Sequence, residues 1–101
     1  MTSGPSQRAV VLLRRGPRWD DAKPLIEQEG VHDHLAYLGE LQREGVLERG
    51  GPFHRPSELV AGQLVGMLVY AADRERAGEY GRGDPAVKTG LLVYEALPWY
   101  A

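Results

Sequence analysis

The sequence contains no cysteine. That absence removes disulfides, thiolate metal ligands and thiol nucleophiles together, and it suits a reducing compartment. Phenylalanine occurs once and tryptophan twice, so most of the core must come from aliphatic side chains. Neither sign of charge is in excess: 12 basic and 14 acidic residues leave a formal charge of -2. A nucleic-acid partner would call for a basic patch that is not seen here. Long apolar runs are missing as well. Residues 9–13, 64–72 and 90–94 are the most apolar stretches, far short of the roughly 20 residues that span a bilayer. Residues 1–7 lack the apolar segment of a secretory signal. The expectation is a soluble, cytoplasmic protein with no nucleic-acid or membrane partner. Its 101 residues make one domain, near the commonest domain size.

What is present is a succession of short patterned segments. Residues 1–7 read as a frayed tail. Residues 8–14 (RAVVLLR) form a strand ended by Gly16-Pro17. The aperiodic stretch 15–30 follows; it is long for a connection, as lids and binding loops often are, though a plain surface insertion fits equally well. Residues 31–44 carry the clearest helical period, with Val31, Leu35, Leu38 and Leu41 on one side and Asp33, Glu40 and Glu44 opposite. Gly45 is placed to end that helix. A short strand at 46–49 should stop at Gly50-Gly51-Pro52, before a polar loop over 53–63. Residues 64–72 form the most apolar strand, in which Gly66 signals a bulge or a close neighbour. Asp73 caps a helix over 74–80 that Gly78 weakens, and Asp84-Pro85 opens a further helical turn. A last strand over 90–97 closes at Pro98. The order β-α-β-β-α-β predicts an α+β, ferredoxin-like domain: a four-stranded antiparallel sheet with both helices on one face.

Two helices cover one face of such a sheet, and a wet second face would show apolar and polar residues in alternation. These strands do not alternate. Val10-Val11-Leu12-Leu13, Met67-Leu68-Val69-Tyr70 and Leu91-Leu92-Val93-Tyr94 are apolar at both parities. About six of these side chains must point away from the helices, at roughly 1.5–3 kcal/mol each for burial. A second copy packed sheet to sheet is the simplest cover, so a homodimer is expected, with Trp99 and Tyr100 near its seam.

Among the residues able to carry chemistry, His34 falls inside the apolar stripe of the first helix. It is either a structural core histidine or a proton-transfer group at the helix–sheet boundary, the role to which imidazole is suited near neutral pH. Asp84 is a helix cap whose second carboxylate oxygen is free to orient an imidazole. His32 and His34 lie about 200° apart around the helix axis and cannot share a metal, and His54 is in a distant loop. No metal site and no cofactor are expected. Arg14, Arg15, Arg18 and Trp19 read first as a solvated loop with one packed Trp; the alternative is that they line a pocket mouth suited to an anionic or aromatic ligand.

Taken in order, His34-Leu35-Ala36-Tyr37-Leu38, Leu41, Gly45, Gly51-Pro52, Asp84-Pro85, Val87-Lys88, Gly90 and Pro98-Trp99 resemble the YCII-related (YciI-like) family over nearly the whole chain. The resemblance implies a ferredoxin-like fold assembled as a dimeric α+β barrel, with a His–Asp pair that maps onto His34 and Asp84. One characterised branch includes a dehydrochlorinase of chlorinated hydroxyhydroquinones. The expected function is thus a small cofactor-independent lyase or isomerase acting on an aromatic or enolisable molecule. Its catalytic pair is His34 and Asp84, and its substrate contacts come from Arg14, Trp19, Tyr37, Gly51 and Pro52. The alternative is a non-catalytic ligand-binding or partner-binding dimer of the same fold.

Overall fold

The computed structural model describes residues 7–53 and 64–100. Strand β1 (Gln7–Arg15) leads through a 3-10 turn (Leu25–Glu27) to helix α1 (Val31–Arg43) and strands β2 (Leu47–Pro52) and β3 (Leu64–Tyr70). Helix α2 (Arg74–Gly83), the single-turn helix α3 (Pro85–Lys88) and strand β4 (Leu92–Tyr100) complete the chain. The strands form one antiparallel sheet in the order β2-β3-β1-β4. This is the ferredoxin-like arrangement that the element order predicts.

Alternation along the strands separates the two faces. Ala9, Val11 and Leu13 of β1, Leu68 and Tyr70 of β3 and Leu92 of β4 form the core with Leu41 of α1, Ala77 of α2 and Ala86 of α3. The other parity carries Val10, Leu12, Val69, Met67, Val93, Leu97 and Trp99, which are half-buried or exposed in the single chain.

Several boundaries differ from the sequence expectation, each for a tertiary reason. Gln7 is already in β1, opposite Tyr100; residues 1–6 and 54–63, with His54, lie outside the described residues. Strand β2 does not stop at the glycines but runs through Gly50, Gly51 and Pro52, opposite Leu68, Met67 and Gly66. Likewise β4 passes through Pro98 to Tyr100. Both are edge strands, where proline's missing N–H faces no partner. The close neighbour signalled by Gly66 is β2: a Cβ there would lie 2.8 Å from the Gly51 carbonyl oxygen. The predicted second helix extends from Tyr80 to Gly83 because its glycines are a packing device. Ala77, Gly78 and Gly81 make its buried face, and the Tyr94 ring stands 2.6 Å from where a Gly81 Cβ would be.

The caps follow expectation. Asp73 accepts the Arg76 amide at 2.8 Å, and Gly45, at φ +83°, follows α1. Helix α1 is rotated slightly from its predicted aspect. Val31, His34 and Leu41 are its buried residues, whereas Leu35 is 44% exposed. His34 therefore sits at the middle of the buried face.

Candidate active site

The site begins with local capping at the end of α2. Asp84 has extended backbone angles, and its Oδ1 accepts the Ala86 amide at 2.9 Å, opening α3 behind Pro85. This leaves Oδ2 to point across to α1, where His34 Nδ1 lies 2.7 Å away. Both residues are buried, His34 at 4% and Asp84 at 2% exposure. A carboxylate held as acceptor on both oxygens fixes the imidazole tautomer: Nδ1 carries the proton and donates it to Asp84, so Nε2 is the lone-pair nitrogen. Nε2 has no hydrogen-bond partner among the described residues.

His34 forms part of the wall of a cleft of about 270 Å³. Leu35 and Leu38 continue the wall along α1, Leu13 and Leu68 form the floor, and Gly51 and Pro52 of β2 close one side. The cleft is mainly aliphatic, and His34 is the one titratable residue among the described residues of its lining. A second cleft of about 420 Å³ adjoins it, sharing Leu25, Pro52 and Val65 and containing Trp19.

The expected site residues thus divide. His34 and Asp84 are in contact, Gly51 and Pro52 line the same cleft, and Trp19 lines the adjoining one. Two others are placed elsewhere. Arg14 has the strand parity of the opposite sheet face and pairs there with Glu95 at 2.9 Å. Tyr37 turns from the cleft toward α2, donating its hydroxyl to the Tyr80 carbonyl at 2.7 Å. Burial, followed by the neighbouring Asp84 carboxylate, raises the Tyr37 pKa above its ordinary value. Tyr80 in turn stacks on Tyr70, ring centroids 5.2 Å apart, so the three tyrosines form one connected series from α1 through α2 to β3.

Sequence reasoning missed Gln28. It is buried at 3% exposure and clamps the 15–30 segment with three bonds: from the Asp20 amide at 2.9 Å, and to the carbonyls of Asp20 at 2.7 Å and Lys23 at 2.8 Å. A lone glutamine in an aperiodic loop carries no sequence signal for this. The segment is an ordered wall of both clefts, through Leu25 and Trp19.

Comparison with known proteins agrees with this picture at the level of fold. No curated protein matches the chain. Among solved structures, 5-chloro-2-hydroxyhydroquinone dehydrochlorinase (TftG) from Burkholderia phenoliruptrix AC1100, in complex with 2,5-dihydroxybenzoquinone, is similar with a TM-score of 0.60. The likeness covers 90% of this chain and 92% of that one at 19% identity. The family model of the YCII-related domain matches residues 8–100, and the chain belongs to that family.

Proposed function

We propose that the chain is a cofactor-independent acid–base enzyme of lyase or isomerase type, with His34 as the base and Asp84 as the group that orients it. The observation that carries this is the buried 2.7 Å contact between His34 Nδ1 and Asp84 Oδ2 beside an aliphatic cleft. In the proposed step, His34 Nε2 takes a proton from an acidic C–H or O–H of the bound molecule. The electron pair left behind forms a new double bond. In a lyase reaction a leaving group such as chloride departs with its bonding pair; in an isomerisation the imidazolium returns the proton to another atom. Asp84 stabilises the imidazolium throughout. General base catalysis of this kind contributes about 10²–10⁴-fold, which suits phenolic or enolisable substrates whose protons are already acidic. The similar dehydrochlorinase structure, solved with a dihydroxybenzoquinone, supports a small oxygenated ring as the substrate class. A cytoplasmic setting suits a chain without cysteine.

The working unit in this reading is a homodimer joined through the open sheet face. Val10, Leu12, Met67, Val69, Val93 and Leu97 make an apolar centre on that face. Four charges on or beside that face pair with each other, Arg8 with Glu48 at 2.6 Å and Arg14 with Glu95 at 2.9 Å. An apolar centre with a polar, charged rim is the anatomy of a protein interface, and a second copy of the same face satisfies it.

The direct test is to incubate a panel of phenolic and enolisable compounds with the protein in deuterated buffer and follow solvent deuterium incorporation or leaving-group release by NMR. The wild type is expected to turn over at least one compound. His34→Gln, folded by circular dichroism, is expected to lose that turnover; full activity in this variant removes the proposal.

A further inference from the structure

The adjoining cleft is not part of the acid–base reading, yet it shares Leu25, Pro52 and Val65 with the His34 cleft and is chemically different. One of its walls is Arg15, and Lys23 and Trp19 stand beside it. Arg15 shares the strand face of Leu13 in the floor of the His34 cleft, and alternate residues of a strand are about 7 Å apart. The Arg15 guanidinium lies over the Trp19 ring, 5.3 Å from its centroid. Stacking of this kind leaves the edge of the guanidinium fork free for planar acceptors. Arg15 Nε is also the one buried side-chain nitrogen or oxygen among the described residues with no hydrogen-bond partner. Buried donors are ordinarily paired, and Nε, which has almost no exposed surface, meets an acceptor in the cleft once the side chain turns toward it.

The acids near these cations do not close the site. Asp21 takes Arg15 Nη1 at 3.1 Å, but its side chain is 82% exposed. Asp20 is 4.0 Å from Lys23 Nζ and half exposed. Exposed pairs of this kind contribute little and are readily exchanged for a better acceptor. The loop that carries Lys23 and both aspartates is held in place by buried Gln28 through backbone bonds. The cations are thus presented on an ordered wall.

We infer that Arg15, Lys23 and Trp19 form an anion-binding arm of the His34 cleft, and that the molecule taken up is an aromatic carboxylate with its ring beside His34 and its carboxylate at Arg15. This rests on the reading of the His34 cleft as the substrate site and adds the substrate's charge and approximate length. The aliphatic walls accept the ring, Nε2 faces the reacting end, and the arginine fork receives the carboxylate by charge-assisted bonds.

The test uses two probes of nearly the same shape, one charged and one neutral, para-hydroxyphenylacetate and para-hydroxyphenylacetamide, titrated into the full chain and followed by NMR at the His34 ring and the Trp19 indole. In the wild type both should shift His34, only the acid should shift Trp19 strongly, and the acid should bind about tenfold more tightly, as expected for a hydrogen-bonded charge. In Arg15→Met the acid should fall to the affinity of the amide while the amide is unchanged. In Lys23→Met, a substitution at a half-exposed loop side chain, the preference should shrink, which keeps the test intact if the Arg15 variant does not fold. Equal affinities in the wild type overturn the inference, as does a tenfold preference that survives in Arg15→Met. If the amide shifts His34 while the acid gains nothing, the arm is wrong and the acid–base cleft stands. If neither probe shifts His34, the arm and the reading beneath it fall together.

Discussion

At the scale of single residues, Asp84 performs two tasks with one carboxylate. Oδ1 caps α3 and Oδ2 holds His34, and the two tasks can be separated by substitution. In Asp84→Asn the amide oxygen can keep the cap, which places the NH₂ group against Nδ1 and moves the imidazole proton to Nε2. Turnover should fall by about 10²–10⁴-fold with little change in stability, and the ring nitrogen shifts of His34 should report the changed tautomer. An unchanged tautomer would sink the orienting role. Tyr70 offers a second residue-scale expectation. Burial, with lesser effects from Tyr37 and Asp84, raises its pKa far above its ordinary value. Between the usual tyrosine value of about 10 and the raised native one, the unfolded chain has lost this proton while the native chain keeps it. The native state then binds more protons, so stability is complete below that range and declines as pH rises through it, by about 1.4 kcal/mol per pH unit. Urea unfolding between about pH 10 and 12 should show this decline, shallower by that amount in Tyr70→Phe. An identical slope in the variant would assign the decline to other groups.

At the scale of elements, the glycines and prolines do more than punctuate. Prolines 52 and 98 lie within strands because both strands are sheet edges, a fact about neighbours rather than local sequence. Gly66 is one of two glycines whose close neighbour is a backbone oxygen under 3 Å away, that of Gly51 at 2.8 Å; the other is Gly16, 2.3 Å from the Gly90 oxygen. Gly66→Ala forces β2 away from β3 and should cost roughly 1–3 kcal/mol, the usual range for overpacking, with greater hydrogen-exchange loss in β2 than in β1. Because Gly51 and Pro52 also wall the His34 cleft, ligand affinity should fall with it. Unaltered stability would show that β2 can yield at no cost. Helix α1 gives the complementary case. Its period alone places His34 on an apolar stripe, but its rotation about its own axis is set by the sheet and by Tyr37 docking on the Tyr80 carbonyl. That rotation leaves Leu35 lining the cleft and exposed.

For the whole molecule, the open sheet face is the proposed site of assembly. Val93 is 43% exposed in the single chain, so Val93→Glu should leave the protomer folded while placing a charge in the centre of the proposed interface. Sedimentation at micromolar concentration should give twice the chain mass for the wild type and the single mass for Val93→Glu. A wild-type monomer would refute the assembly, and a dimer in Val93→Glu would place the interface elsewhere.

Much of this was legible in the residues themselves. Helical period, caps at Asp73 and Asp84 and strands apolar at both parities are local properties, and they determine the element order, the sheet with its uncovered face and the position of His34 in a buried stripe. The family resemblance implied the His34–Asp84 pair, and the fold closes it to a 2.7 Å contact across 50 positions of sequence; tertiary structure alone decided that Arg14 lies on the far face with Glu95 and that Tyr37 braces α2 instead of lining the cleft. Gln28 belongs to the same class, since its role depends on which loop folds over which strand. Periodicity fixes the face on which a side chain stands, because that depends on neighbours three or four positions away. What it meets there depends on segments that sequence separation leaves unconnected until the sheet brings them together.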